Sequence, residues 1–142
     1  MLSGREHNME FPYLDTNNAG QFSPLALAYI GDAVYEVYVR SHVLEAGNTA
    51  VNKLHKASTG YVSAKAQSSI IHAIEMHLTE EETAVYKRGR NAHSNTSAKN
   101  ADIVDYRHAT GFEAVIGYLF IMKRYQRLNE IIKLSFDFID NK

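Results

Sequence analysis

The chain has 142 residues, no cysteine and a formal net charge of −1, and this length is enough for one domain with its own core. The lack of cysteine excludes a disulfide framework and a thiolate metal site, and it suits a reducing, cytoplasmic location. The longest apolar run, residues 114–122, is too short to span a bilayer and the N-terminus lacks the apolar core of a signal peptide, so we expect no membrane partner.

The distribution of apolar residues predicts an all-α fold, because no segment alternates between apolar and polar residues with period two. Residues 1–22 are polar and are predicted to form a partly flexible N-terminal arm. Residues 23–142 are predicted to form one domain without an internal linker.

Three helical segments are predicted in the first half of the chain, at about 24–44, 48–58 and 61–76. Ser23 followed by Pro24 is an N-cap with proline at the first helical position, which marks the start of the first helix. Gly47 is predicted to end that helix. Gly60 is predicted to separate the second segment from the third, because a glycine weakens a helix interior.

Three further helices are predicted in the second half, at about 79–90, 101–124 and 126–139. Thr79 and Glu82 form a capping-box pattern, and acids in the first turn with basic residues in the last turn complement the helix dipole. The polar segment 91–100 is predicted to be a loop.

Two acids interrupt apolar helical stretches: Asp32 in LALAYIGDAVYEVYV and Glu113 in ATGFEAVIGYLFIM. Both are expected to be buried and to have a partner, because an unpaired buried carboxylate costs several kcal/mol or gives up its charge. Gly31, Gly111 and Gly117 permit close packing of these helices. If the two helices cross near Gly31 and Glu113, the two carboxylates converge as oxygen ligands for Mg²⁺ or Mn²⁺. An equally open alternative is that each acid pairs with an arginine, the candidates being Arg40, Arg107 and Arg124.

Two acid-free segments carry basic residues, although the whole chain is nearly neutral. Their cations and histidines are Lys53, His55, Lys56 and Lys65 in the first segment, and Lys87, Arg88, Arg90, His93 and Lys99 in the second. Such segments indicate a surface for an anionic partner, although a solvated face is the simpler alternative. The second segment is favoured, because Gly89 and the polar loop allow it to adjust to a groove.

The motifs resemble one bacterial family, Mini-ribonuclease III, over residues 23–132. In chain order they are LALAYIGDAVYEVYVR, YVSAKAQ, EEETAVYKRGRNAHS, KNADIVDYRHATGFEAVIGYLF and RLNEII. The resemblance implies a helical, homodimeric ribonuclease III domain that uses Mg²⁺ to cleave double-stranded RNA, leaving 5′-phosphate and 3′-hydroxyl ends. It also implies maturation of the large-subunit (23S) ribosomal RNA precursor in the cytoplasm, and leaves open whether a ribosomal protein helps.

The resemblance assigns the catalytic and metal-binding roles to Asp32 and Glu113. The longer ribonucleases III carry further acids where this chain has other residues, at Leu25, Ala28 and Thr110. Residues expected to support the site without being its main ligands are Glu36, Tyr106 and Thr110. The expected chemistry is in-line attack of water on the scissile phosphate, with departure of the 3′-oxygen.

Three other functions stay open from the sequence. The missing acids allow a catalytically inactive, ribonuclease III-like protein that only binds double-stranded RNA. If both basic segments are incidental, the chain is a helical adaptor with no RNA partner. A metal-free ribonuclease is the third, with catalytic histidines among His55, His93 and His108.

Overall fold

The computed structural model describes residues 21–92 and 101–142, which form six α-helices. The helices are α1 (Pro24–Ala46), α2 (Val51–Val62), α3 (Ala64–Ile74), α4 (Glu80–Asn91), α5 (Ala101–Ile121) and α6 (Tyr125–Asp140), with a one-turn 3₁₀ helix (Glu75–His77) after α3. No strand occurs in these residues, which confirms the all-α prediction. Most of the predicted arm (1–20) and of the predicted loop (93–100) lies outside the described residues.

Helix α5 is the centre of the fold, and α1, α3 and α4 pack around it. Its middle is apolar on nearly every face, which is the pattern of a helix enclosed by others. Phe112, Ile116 and Leu119 are completely buried there. None of the helices in the described ranges has both the length and the apolar character needed to cross a bilayer.

The backbones of α1 and α5 touch where the two helices cross. A Cβ atom on Gly31 would collide with the backbone oxygen of Glu113, and one on Gly117 would collide with the backbone oxygen of Leu27. Because the obstructing atoms belong to the backbone, no side-chain movement could make room. The predicted close approach at these two glycines is therefore found, and it sets the distance between the turns that carry Asp32 and Glu113.

The predicted N-terminal caps are found at the starts of α1 and α4. Ser23 Oγ accepts a hydrogen bond from the Ala26 N–H at 3.1 Å. Thr79 and Glu82 form the capping box, with distances of 2.9 and 3.1 Å. Glu82 is almost completely buried and also accepts hydrogen bonds from Arg127, which ties the start of α4 to α6.

The break between α2 and α3 lies at Ser63, so its prediction at Gly60 was wrong. Gly60 is exposed inside α2, where glycine costs only about 1 kcal/mol relative to alanine. Ser63 supplies the missing cap, since its Oγ accepts a hydrogen bond from the Ala66 N–H at 3.1 Å. The buried face of α3 consists of Gln67, Ser68, Ile70, Ile71 and Ile74.

Candidate active site

An open cleft of about 450 Å³ lies between α1, the α2–α3 junction and α5. It contains Asp32 from α1, Gln67 from α3 and Glu113 from α5. Its other lining residues, several of which are small, are Leu25, Ala28, Tyr29, Val62, Ala64, Tyr106, Ala109 and Thr110. The fold therefore brings together the two acids that the sequence analysis singled out, from opposite ends of the chain.

Glu113 is mostly buried beside Asp32. Burial, followed by the negative charge of Asp32, raises the pKa of Glu113 from 4.5 to about 8. The charge of Glu36 acts in the same direction, and a hydrogen bond from Gln67 opposes it. Near neutral pH, Glu113 in the metal-free protein therefore tends to hold a proton that it must release when a cation binds.

Asp32 is exposed, which corrects the prediction that both acids are buried. The apolar residues around it in the sequence are real core residues, for example Leu27, Tyr35 and Val39. Asp32 points away from them into the cleft, where the neighbouring Ala28 leaves an opening. Solvent and ions therefore reach one carboxylate of the pair directly.

The arginine alternative is contradicted within the part of the chain that the structure describes, because neither acid forms an ion pair there. Arg40 binds Glu36 at 3.0 Å, and Arg124 binds Glu81 at 2.9 Å. Arg107 is exposed and takes part in none of the ion pairs of residues 21–92 and 101–142. The two acids of the cleft are thus close together without a compensating cation from these residues.

Gln67 belongs to the site although the sequence analysis did not select it. It is 2% exposed, and its Nε2 donates hydrogen bonds to Glu113 Oε2 at 3.1 Å and to the Val62 carbonyl at 3.0 Å. Its Oε1 has no hydrogen-bond partner among the described residues. The sequence did contain a signal for Gln67, since it is a polar residue on the apolar face of α3 beside Ile70 and Ile74. Glu113 is a polar residue in an apolar stretch of α5 in the same way.

The donor set fits a hydrated Mg²⁺. In the described ranges, no three His, Asp or Glu side chains are grouped so as to hold a metal ion. Mg²⁺ is nevertheless commonly held by one or two carboxylates, with water and substrate phosphate completing the shell. Asp32 and Glu113 supply two such carboxylates, and the unpartnered Gln67 Oε1 is a further acceptor beside them.

The three predicted supporting residues occupy different positions. Tyr106 and Thr110 line the cleft, whereas Glu36 does not. Thr110 Oγ1 donates to the Tyr106 backbone oxygen at 2.9 Å, so its hydroxyl is left as an acceptor toward the cleft. Glu36 accepts a hydrogen bond from Arg40 Nε. Their supporting roles stay predictions.

The first basic segment borders the cleft. Its four predicted RNA-binding residues are all exposed, on α2 and α3: Lys53, His55, Lys56 and Lys65. Lys65 lies between Ala64 and Gln67, which both line the cleft, and is therefore the member of this group nearest to cleft residues along the chain.

The second basic segment lies on α4, which contributes no residue to the cleft wall. Lys87 and Arg88 are exposed there, and the Arg90 guanidinium lies 5.5 Å above the Tyr86 ring. The remaining members of this segment, His93 and Lys99, lie outside the described residues.

No histidine of the described ranges lines the cleft. His108 shares a hydrogen bond of 3.0 Å with Ser68 Oγ, and its ring lies 4.6 Å from that of His72. Burial and the proximity of His72 lower the pKa of His108. His55 is exposed on α2. Among the described residues, which do not include His93, the geometry therefore gives a metal-free histidine mechanism no support.

Comparison with known proteins gives a consistent family. Residues 25–124 match the family model of the Ribonuclease III domain. Mini-ribonuclease 3 of Clostridium tetani is 57% identical over 115 residues, covering 80% of this chain and 76% of that protein. Mini-ribonuclease 3 of Enterococcus faecalis is 55% identical, covering 79% and 86%, and that of Brevibacillus brevis is 48% identical, covering 89% and 95%.

A solved structure has the same fold. The X-ray crystal structure of a protein from Fusobacterium nucleatum superimposes with a TM-score of 0.74 at 29% sequence identity. The match covers 84% of this chain and 96% of that protein. The helical arrangement that forms the cleft is thus shared with an experimentally determined relative.

Proposed function

This chain belongs to the ribonuclease III family, and from that premise we propose that Asp32 and Glu113 bind the divalent cation with which it cleaves double-stranded RNA. It is a metal-dependent endoribonuclease, a phosphodiester hydrolase. The observation that carries the site assignment is the meeting of the two acids in an open cleft, with no cation of the described chain paired to either.

The two acids have different tasks. The exposed carboxylate of Asp32 is the ligand that an arriving hydrated ion meets first. Glu113 would have to release its proton to hold an ion, and the charge of that ion would offset the repulsion between the two acids. The bound ion, Mg²⁺ with Mn²⁺ as a substitute, neutralises charge on the scissile phosphate and makes water a better nucleophile. Thr110 offers its hydroxyl oxygen as an acceptor beside them.

The basic residues bind the RNA duplex. Double-stranded RNA is recognised mainly by shape and through its phosphates and 2′-hydroxyl groups, so exposed cations near the cleft suffice without base-specific contacts. Lys65 is the first candidate, because it adjoins the cleft. The other proposed contacts are Lys53, His55, Lys56, Lys87, Arg88, Arg90, His93 and Lys99.

The active form is a homodimer joined through α1. One face of this helix is apolar and exposed, with Tyr29 at 83%, Val37 at 66% and Leu44 at 52% of their possible exposure. These residues are about two helical turns apart and share one face, and exposed large apolar side chains on a helix favour association. A second copy suits it, because two-fold symmetry matches two cleavage sites to the two strands of a duplex.

The proposed natural substrate is the precursor of the large-subunit (23S) ribosomal RNA, and the proposed location is the cytoplasm. Similarity to proteins named Mini-ribonuclease 3 supports this substrate. Whether a ribosomal protein presents the RNA is tested by comparing cleavage of the naked precursor with cleavage of the same RNA in ribosomal particles.

Cleavage of an end-labelled RNA duplex tests the proposed chemistry. We expect cleavage with Mg²⁺, none with EDTA, and products with 5′-phosphate and 3′-hydroxyl ends. Asp32→Asn and Glu113→Gln should lose cleavage but keep RNA binding, because they remove metal ligands and no RNA contact. Asp137→Asn, which alters an exposed acid paired with Lys133, is the matched control and should cleave normally.

Each contrary result of that experiment has a clear meaning. Cleavage in EDTA would reject the metal and favour a histidine mechanism. Tight RNA binding without cleavage by the wild type would favour the inactive binding protein. Normal turnover by Asp32→Asn would remove Asp32 from the site.

The basic surface is tested by salt dependence. Lys65→Ala should weaken duplex binding and reduce the slope of log affinity against log salt by about 1, because it removes one phosphate contact. Lys133→Ala, on α6, is the control and should leave the slope unchanged. An unchanged slope for Lys65→Ala would place the duplex elsewhere.

The dimer is tested by light scattering after gel filtration. Val37→Asp should give a monomer, because it would bury an unpaired charge in each half of the apolar contact. Val104→Asp changes a valine that is 53% exposed on α5, and it should leave the dimer intact. A dimeric Val37→Asp protein would reject α1 as the interface.

A further inference from the structure

Gln67 connects two elements of the site by a single amide group. Its Nε2 donates to Glu113 Oε2 at 3.1 Å and to the carbonyl of Val62, the last residue of α2, at 3.0 Å. The Val62 carbonyl can only accept, so exchanging the nitrogen and oxygen of the amide would set one carbonyl oxygen against another. The orientation of the amide is therefore determined by its partners.

The other end of the same amide is left unsatisfied. Gln67 Oε1 is the one buried side-chain nitrogen or oxygen without a hydrogen-bond partner among the residues that the structure describes. An unpaired buried carbonyl costs free energy, and an apolar side chain of similar size at this position would avoid that cost. The contact between Gln67 and Glu113 is thus maintained at the expense of local stability, which indicates a use for it in the site.

We propose that Gln67 is a positioning residue of the metal site, holding Glu113 by Oε2 so that its other carboxylate oxygen faces Asp32 and the cation. This inference rests on the proposed function, in which Asp32 and Glu113 bind the cation. Glu113 has three side-chain torsions, and fixing them before the ion arrives removes an ordering cost from binding.

A purely structural role is the competing explanation. Gln67 also satisfies the Val62 carbonyl at the end of α2, so its loss would weaken the α2–α3 junction whatever happens to Glu113. Ser63→Ala separates these two roles. It removes the N-cap of α3 at the same junction, where Ser63 Oγ accepts the Ala66 N–H, and Ser63 has no recorded contact with either acid.

The first experiment measures Mn²⁺ affinity by electron paramagnetic resonance, with no RNA present. Gln67→Met, which keeps the length of the side chain and removes both polar atoms, should bind Mn²⁺ about 10- to 100-fold more weakly than the wild type. Ser63→Ala should keep the wild-type affinity. In cleavage assays at saturating metal, Gln67→Met should lower kcat with little change in the KM for the duplex. Wild-type Mn²⁺ affinity in a folded Gln67→Met protein would overturn the proposal.

The second experiment uses the wild-type protein, so its result does not depend on whether a substituted protein folds. The chain has three glutamines, Gln21, Gln67 and Gln126, so few side-chain amide signals need to be assigned by nuclear magnetic resonance. Addition of Mg²⁺ should shift the signals of the Gln67 amide protons, because they contact the carboxylate that would bind the ion. Gln126, exposed on α6, should not shift. A Gln67 signal that is unchanged when Mg²⁺ binds would overturn the proposal.

The inference and the proposed function fail in different ways. Mn²⁺ binding that is lost in Asp32→Asn but retained in Gln67→Met overturns the role of Gln67 and leaves the metal site standing. A wild-type protein that binds no divalent cation overturns both.

Discussion

Replacing Glu113 with glutamine should stabilise the metal-free protein at alkaline pH, although the same change removes its activity. The folded-state pKa of Glu113 is about 8, against 4.5 for the ordinary carboxyl group. Between these two pH values the folded state holds a proton that the unfolded state has released. The stability of the wild type therefore falls as the pH rises through this window, by up to about 1.4 kcal/mol per pH unit.

Over the whole interval between the two pKa values, the loss of unfolding free energy has an upper limit of about 5 kcal/mol. The cleft is open, so solvent screens part of the repulsion between Glu113 and Asp32, and about 2 to 4 kcal/mol is the expected effect above pH 8. Glu113→Gln removes the charge but keeps the shape and an acceptor for Gln67. Its stability should consequently be nearly independent of pH between 5 and 9, with no gain at pH 5 and the full gain at pH 9.

Urea unfolding in EDTA at pH 5, 7 and 9 measures the effect. Glu45→Gln, a change to an exposed acid near the end of α1, is the matched control and should follow the wild type at each pH. Saturating Mg²⁺ should restore the stability of the wild type at pH 9 and have little effect on Glu113→Gln, because a ligand stabilises only the state that binds it. Parallel stability curves for the wild type and Glu113→Gln would refute the reasoning.

Three further changes test the fold. Gly31→Ala should cost at least about 3 kcal/mol in urea unfolding, because its Cβ collides with the backbone of Glu113 and cannot be accommodated by a rotamer change. Lys123→Gly should raise the melting temperature by about 3 °C, since Lys123 has φ 59° in the α5–α6 turn, where a side chain costs about 1 kcal/mol. Arg127→Leu should cost about 3 to 5 kcal/mol at neutral pH and less at acid pH, because it leaves the buried Glu82 without its cation. A melting temperature lowered by Lys123→Gly, or a pH-independent loss for Arg127→Leu, would contradict the respective argument.

The features that the sequence predicted correctly are of two kinds. Some depend on residues close together in the chain, and others occur where two helices pack too closely to leave space for a side chain. The Ser23 cap and the Thr79–Glu82 capping box each join residues three positions apart, so their structure follows from local chemistry. Gly31 and Gly117 were predicted because a helix tolerates glycine poorly unless something replaces the missing side chain. The backbone of the facing helix does so at both positions.

The features that the sequence did not predict depend on contacts between distant segments. Gln67 finds its partner Glu113 46 positions later, and no local pattern shows that its nitrogen is used while its oxygen is not. Asp32 was predicted to be buried because its neighbours are apolar, but a cleft formed by α2, α3 and α5 opens beside it. The helix break lies at Ser63 and not at Gly60, because the free-energy cost of a glycine inside α2 is small and Ser63 forms a good N-cap for α3.

The contact between α1 and α5 has a consequence for the synthesis of the protein. Asp32 leaves the ribosome early, whereas Glu113 and its partner helix follow only after most of the chain has been made. Closing so long a stretch of chain is slow, and it precedes any gain from the crossing. If these two acids hold the catalytic ion as proposed, a nascent chain carries one acid without the other and is unable to cut the RNA that surrounds it, so nuclease activity would begin only once translation of this chain is nearly finished.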